Sequence, residues 1–306
     1  MGFDPVVLCF VILIGALWNL LGKLLLDRIE LPRLLCWGAI FVPFVAAHLI
    51  LLDEPVVARV VGLCVVLLLG MKLIIYQEWL REGKKQMPYG RWLLFSFCWF
   101  GMEPRPWVGN RKKLEWNSHV KWGMICIGAG LTGITILAWY GYTFYPLTFV
   151  YLSMLLHFGV LRLLVAFWRW YGFPVRTLFR NPLVTKGFAD FWGARWNLAY
   201  SQMMARAVQR PLVPLFGQKG AIFAVFVVSG LFHELAITVP AMSGFGFPTI
   251  FFVMNGLAVL VEEDGKYLRY ACLLALIVGL PTLFPVVFAE NVIIPIQDLW
   301  SQMLRQ

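Results

Sequence analysis

The sequence has few charged residues for its length. Only 14% of the 306 residues are charged, whereas an ordinary soluble domain has about 25%. Hydrophobic residues make up 60% of the chain and come in long uninterrupted stretches, so lipid must be the solvent for most of their surface. This composition excludes a soluble globular enzyme and predicts an integral, multi-pass membrane protein.

Acidic residues and paired cysteines are also scarce. The 16 acidic residues are outnumbered by 26 Lys and Arg, and in a membrane protein this excess indicates cytoplasmic loops rather than binding to nucleic acid. Six cysteines are scattered, without a Cys-x-x-Cys pair, which predicts neither a zinc site nor a disulfide framework. We therefore expect no metal and no nucleic-acid partner.

Eight apolar runs are long enough to cross, or nearly cross, a hydrocarbon core about 30 Å thick. The predicted spans are residues 5–26, 33–52, 56–76, 122–143, 146–167, 220–239, 247–261 and 270–289. No basic region or small-residue cleavage site precedes the first run, so we expect it to be retained. With no internal repeat, the prediction is one all-α domain over residues 1–306 with about eight transmembrane helices.

Two long polar segments, residues 77–121 and 168–219, hold 17 of the 26 basic residues. The positive-inside rule places both segments in the cytoplasm, with both termini on the opposite side. Neither a transit peptide nor a retention signal is evident, which favours a bacterial inner membrane over an organelle.

These polar segments have features that ordinary loops lack. Residues 91–107 are mostly apolar but too few to cross comfortably, which predicts a re-entrant or interfacial helix. Residues 168–219 interleave aromatic and basic side chains. That pattern fits either an amphipathic helix on anionic lipid or a basic cradle for a phosphorylated cosubstrate.

His233 is the strongest candidate for chemistry because it lies well inside the sixth predicted span, where polar groups are costly. Ser229 lies one turn back on the same face, and Gly230 removes bulk, so the histidine could face an opening for substrate. The residue is either a general base or a histidine bonded to a neighbouring helix. Glu234 either orients a polar group or forms a buried structural link. Ile237 stands where a zincin needs its second histidine, which excludes that class.

Three motifs in order resemble those of the wax synthase-like branch of the membrane-bound O-acyltransferase (MBOAT) superfamily. They are Asn181-Pro-Leu, Asp190-Phe-Trp-Gly-Ala-Arg-Trp-Asn197 and Ser229-Gly-Leu-Phe-His-Glu234. An upstream segment, Gly101-Met-Glu-Pro-Arg-Pro106, is similar to one found in the same branch. Three separate motifs at family-like spacing are far more specific than any one of them.

The resemblance implies a multi-helical fold with a tunnel through the membrane. An acyl thioester would enter from the cytoplasm and a lipophilic alcohol from the lipid. The resemblance makes His233 the catalytic base and Asn197 the second catalytic residue, which would orient the alcohol or stabilise the thioester oxyanion. The expected reaction transfers a fatty acyl group from acyl-CoA, as cosubstrate, to the alcohol without a further cofactor.

The remaining motif residues are predicted to bind substrate. They are Asn181, Asp190, Trp192, Arg195, Trp196, Ser229 and Glu234. Arg195, with the two tryptophans, would position the phosphates or the pantetheine arm of the donor. The sequence leaves open a proton-coupled transporter or an acyl-lipid-binding membrane protein in which His233 and Glu234 form a relay, and also an inactive relative. It does not select the acceptor alcohol or the acyl length.

Overall fold

The computed structural model describes residues 3–141, 144–263, 265 and 267–305, which are mostly helical; no strand occurs among them. Among these described residues, six helices are long and apolar enough to span a membrane: Pro5–Leu26, Arg33–Ile50, Val56–Arg81, Asn117–Trp139, Tyr145–Trp170 and Leu198–Ala241. We number these the first to sixth spans. Phe247–Val261 and Leu268–Val278 are shorter apolar helices. The prediction of an all-α, multi-pass membrane protein is confirmed.

The sixth span begins earlier than predicted, at Leu198 rather than at residue 220. Its first half contains Arg206, Arg210 and Pro214. These residues interrupt the apolar run from which the span was predicted. The helix is kinked at Gly217, whose φ of 67° is readily adopted by glycine.

The last apolar helix is shorter than predicted. It ends at Val278, and two short helices, Leu280–Leu283 and Val286–Phe288, follow it. Pro285 explains the second break, since the residue before a proline is disfavoured in the helical conformation, and Phe284 has φ −117° and ψ 87°. A C-terminal helix then runs over Ile294–Arg305.

Residues 91–107 do not form the single re-entrant or interfacial helix that was predicted. Two short helices, Tyr89–Phe97 and Arg105–Val108, are joined by a non-helical stretch. The side-chain nitrogen of Lys72, which is fully buried, fixes this stretch by donating to the carbonyl oxygens of Trp99 at 2.8 Å and Gly101 at 2.6 Å. Helix is lost here because these carbonyls bond to a side chain instead. Whether the segment enters the membrane stays a prediction.

A partly buried ion pair ties the same stretch to the sixth span. Arg206, only 10% exposed at its side chain, places its guanidinium 2.9 Å from Glu103 Oε2 and 3.7 Å from Glu82 Oε1. These contacts help to hold the two segments in register.

Residues 171–197 do not form the continuous amphipathic surface helix that was one of two interpretations. The chain has only short helical pieces here, Pro182–Val184, Phe188–Asp190 and the π-helical Phe191–Arg195. Several of its aromatic side chains are buried, among them Phe173, Phe179 and Phe191. They anchor the segment by packing inside the protein.

The contacts divide the chain into two compact units. One comprises residues 1–108 and 202–253, and the other comprises residues 109–201 and 254–306. In the first, a Cβ on Gly70 would lie 2.9 Å from the carbonyl oxygen of Ala39, so glycine is needed where the second and third spans touch. In the second, Gly130 plays the same part against Tyr151. The single-domain prediction stays a prediction.

Candidate active site

His233 is fixed in the first unit by a hydrogen bond to the helix turn that precedes it. Its Nδ1 lies 2.7 Å from the carbonyl oxygen of Ser229, as expected for residues on one helical face. Because a carbonyl oxygen only accepts, Nδ1 carries the proton and the neutral ring keeps its lone pair on Nε2. The ring also packs on Phe252, with centroids 4.2 Å apart. The half-buried histidine is therefore held in the tautomer that can accept a proton at Nε2.

The helix widens directly after His233 into a π-helical turn over Glu234–Thr238. Such turns are rare and are frequent at functional sites, because they re-aim the side chains around them. The turn therefore sets the direction of the side chains that follow His233.

The carboxylate of Glu234 links this turn to the next helix. Oε1 accepts from the Thr249 hydroxyl at 2.8 Å, the Thr249 N–H at 3.0 Å and the Gly246 N–H at 3.1 Å. Oε2 accepts from the Thr238 hydroxyl. The side chain thus satisfies N–H groups at the start of Phe247–Val261, which have no partner within that helix. This geometry favours the structural link over substrate contact, and the predicted binding role stays a prediction.

Gly230 and Ser229 do not leave the opening expected from the sequence. A Cβ on Gly230 would lie 2.7 Å from Thr249 Cα, so this side of the helix is filled by Phe247–Val261. The buried hydroxyl of Ser229 donates to the carbonyl oxygen of Val225 at 2.7 Å. Glycine therefore serves close helix packing, and Ser229 contributes its carbonyl group to His233.

Three predicted binding residues meet in the second unit. Asp190 Oδ2 accepts from Arg195 Nε at 2.6 Å and from the Lys186 N–H at 2.9 Å, and a second Arg195 nitrogen donates to the Asn181 carbonyl at 3.3 Å. Burial opposes ionisation of Asp190, but these hydrogen bonds outweigh it and hold the pKa of the carboxyl below its ordinary value. The Arg195 guanidinium is thus engaged by the protein, and its predicted contact with the acyl donor stays a prediction.

Asn197 starts the helix of the sixth span in the left-handed conformation, with φ 41°, which asparagine tolerates better than most residues. Its Oδ1 accepts from the Tyr200 N–H at 3.3 Å, a helix-capping bond. The preceding residue, Trp196, stacks on Phe191 with ring centroids 5.5 Å apart. With Oδ1 used as a cap, the Nδ2 amide is the group through which Asn197 would bind a substrate.

Residues 175–254 match the family model described as the membrane bound O-acyl transferase family. The predicted family resemblance is confirmed. The matched segment contains both predicted catalytic residues and all seven predicted binding residues.

Three plant proteins are each similar to about a hundred residues of this chain. The chain is 31% identical over 104 residues to Probable long-chain-alcohol O-fatty-acyltransferase 9 of Arabidopsis thaliana, covering 31% of this chain and 30% of the relative. It is 34% identical over 92 residues to Acyl-CoA–sterol O-acyltransferase 1 of the same species, covering 28% of this chain and 27% of the relative. It is 30% identical over 104 residues to Long-chain-alcohol O-fatty-acyltransferase of Simmondsia chinensis, covering 30% of this chain and 28% of the relative. The chain spans less than a third of the length of each.

Two contacts that hold the matched segment were not predicted from the sequence. Glu262 accepts from the backbone N–H groups of Phe188 at 2.7 Å and Ala189 at 3.0 Å. Trp192 Nε1 donates to Asn255 Oδ1 at 3.1 Å. Both contacts join residues more than 60 positions apart, and no local pattern signals them.

Proposed function

We propose that this protein is a membrane-embedded acyltransferase that transfers a fatty acyl group from acyl-CoA to the hydroxyl of a lipophilic alcohol, with His233 as general base. The observation that carries the proposal is the bond from His233 Nδ1 to the Ser229 carbonyl, because it leaves Nε2 as the proton acceptor. The named relatives support the reaction class, since their names describe acyl transfer to long-chain alcohols or to a sterol.

In the proposed reaction the alcohol attacks the thioester directly. His233 Nε2 accepts the hydroxyl proton while the alcohol oxygen bonds to the carbonyl carbon. The tetrahedral intermediate then breaks its C–S bond, and the departing CoA sulfur takes the proton from the imidazolium. The products are an ester and CoA, with the histidine returned to its neutral form. The Ser229 carbonyl accepts from Nδ1–H throughout and keeps the ring in place.

Asn197 is proposed to hold a substrate oxygen through its Nδ2 amide. Its backbone is strained and its Oδ1 is used in capping, so the side chain is already oriented before substrate binds. Asn181, Asp190 and Arg195 fit a supporting role in this proposal, because their polar groups bond to one another and hold the motif around Asn197.

A transporter with a His233–Glu234 proton relay fits less well. A relay carboxylate must exchange protons and partners, but both oxygens of Glu234 already accept hydrogen bonds from Thr238, Gly246 and Thr249. We further propose that the chain between the third and fourth spans and between the fifth and sixth spans faces the cytoplasm, because residues 77–121 and 168–219 together carry 17 basic residues. The plant origin of the relatives gives no support to the predicted bacterial inner membrane.

The test is ester formation by the purified protein in lipid nanodiscs. Labelled palmitoyl-CoA is offered with a fatty alcohol, a sterol or diacylglycerol, using the wild type, His233→Ala and the control His48→Ala, which removes another span histidine. We expect label in an ester with the wild type and the control but not with His233→Ala. Ester formation that survives His233→Ala contradicts the general base. Folded wild type that transfers label to none of the acceptors contradicts the proposed function.

A further inference from the structure

A second span histidine, His157, lies in a polar and aromatic cluster of the second unit. It sits within a π-helical stretch, Met154–Val160, of the fifth span. Its Nδ1 is 2.9 Å from the Ser153 hydroxyl oxygen. A polar side chain inside a span is costly unless it has a partner or a function, and a π-helical stretch is itself more frequent at functional sites.

Aromatic rings from two other parts of the chain surround His157. Its ring centroid is 4.4 Å from that of Phe179 and 5.6 Å from that of Trp196, and Phe158 lies 6.1 Å from Phe179. The backbone N–H of Leu198 donates to the Leu178 carbonyl at 2.8 Å. This bond holds the two chain segments that carry Phe179 and Trp196 next to each other. These rings form an apolar wall beside the imidazole.

The hydrogen bond to Ser153 sets the tautomer of His157. A hydroxyl has one proton, and among the described residues His157 is the hydrogen-bond partner of this hydroxyl. Leaving the O–H unpaired beside apolar rings would cost free energy, so it donates to Nδ1. The neutral ring then carries its proton on Nε2 and presents an N–H donor. The residue is only half-buried, so part of its surface is open to a ligand.

The cluster is held rigidly by close packing of the fifth span on the fourth. A Cβ on Gly159 would lie 2.5 Å from Ile127 Cγ1, and one on Gly130 would lie 2.9 Å from the Leu155 nitrogen. Contacts this close fix the helix on both sides of His157. A donor that is already oriented loses little entropy when a ligand binds.

We propose that this cluster is a binding site for a long-chain alcohol, in which His157 Nε2–H donates to the hydroxyl oxygen and the partly exposed rings of Phe158 and Trp196 contact the alkyl chain. A lipophilic alcohol matches this chemistry because it joins one oxygen acceptor to an apolar chain. The choice of an alcohol rests on the proposed function, whereas the site itself rests on the geometry of the cluster. His157 binds and positions the ligand and takes no proton from it.

The site is tested by photolabelling in nanodiscs. The probes are hexadecanol with a diazirine near its hydroxyl and a matched hexadecane diazirine without the hydroxyl. Labelled tryptic peptides are read by mass spectrometry, and residues 177–180 and 196–206 are the expected sites. We expect the wild type to bind the alcohol about fivefold more tightly than the alkane, which is the effect of one hydrogen bond. His157→Phe, which keeps a ring but no donor, should abolish the preference, and the control His48→Phe should not.

Two further variants keep the test decisive if His157→Phe folds poorly. Ser153→Ala should weaken the preference because the tautomer is no longer fixed, and His157→Gln should retain part of it because an N–H donor remains. Label outside residues 177–180 and 196–206, or an unchanged preference in His157→Phe and Ser153→Ala, overturns the site. Labelling needs no catalysis. Expected labelling without ester formation therefore contradicts only the proposed function, whereas ester formation with an unchanged KM for the alcohol in His157→Phe contradicts the site.

Discussion

Replacing Glu234 distinguishes the two roles that are open to this carboxylate. It accepts hydrogen bonds from the Thr238 and Thr249 hydroxyls and from the N–H groups of Gly246 and Thr249. Glu234→Ala would leave two N–H groups unpaired in an apolar setting, each costing about 1–3 kcal/mol, and would remove two hydroxyl bonds of about 1 kcal/mol each. We therefore expect a loss of about 4 kcal/mol or more in the free energy of unfolding.

Glu234→Gln should cost less, about 1–2 kcal/mol, because its amide oxygen can still accept at the Oε1 position and the Thr238 hydroxyl can turn to accept from the new NH₂ group. The free energies come from SDS titration in mixed micelles, with ester formation measured in parallel. Glu263→Ala, at an exposed position, is the control and should unfold like the wild type. If Glu234→Ala stays within about 1 kcal/mol of the wild type, the structural link is refuted. Lost activity at unchanged stability would instead assign the carboxylate to the substrate.

Four further variants test a helix cap, a close helix contact and the ionised carboxylate of Asp190. Asn197→Ala should cost about 2 kcal/mol because it loses the helix cap and forces alanine into a left-handed conformation, whereas Asn197→Gly should cost under about 1 kcal/mol; equal losses in SDS titration would contradict this. Gly230→Ala should cost about 1–3 kcal/mol in the same assay because its Cβ meets the Thr249 backbone, and wild-type stability would contradict that contact. The ionised Asp190 carboxylate stabilises the folded protein, because its pKa is lower in the folded than in the unfolded state. This stabilisation is complete above the unfolded pKa of about 4 and is lost as the pH falls through the folded pKa. Asp190→Asn should therefore lower the melting temperature at pH 7 more than at pH 3.

The length of apolar runs predicted best the spans that are apolar from end to end. The first span, Pro5–Leu26, has the predicted bounds because apolar residues fill it from end to end. The start of the sixth span escaped prediction because Arg206 is neutralised by Glu103, a contact that joins positions about a hundred residues apart. The packing of Gly230 on Thr249 also could not be predicted from the sequence. A glycine in a helix is compatible both with an open cavity beside the helix and with close contact to another helix, and the sequence does not distinguish the two.

The two span histidines show why sequence spacing could locate candidate residues but not assign their chemistry. His157 and His233 each follow a serine by four residues. In one pair the Ser153 hydroxyl bonds to Nδ1, which leaves a proton on Nε2. In the other, the Ser229 hydroxyl is already engaged by Val225, so Nδ1 must donate to the serine carbonyl and Nε2 keeps its lone pair. Identical spacing thus yields one donor and one acceptor, and the destination of a single serine proton decides which histidine can act as a base.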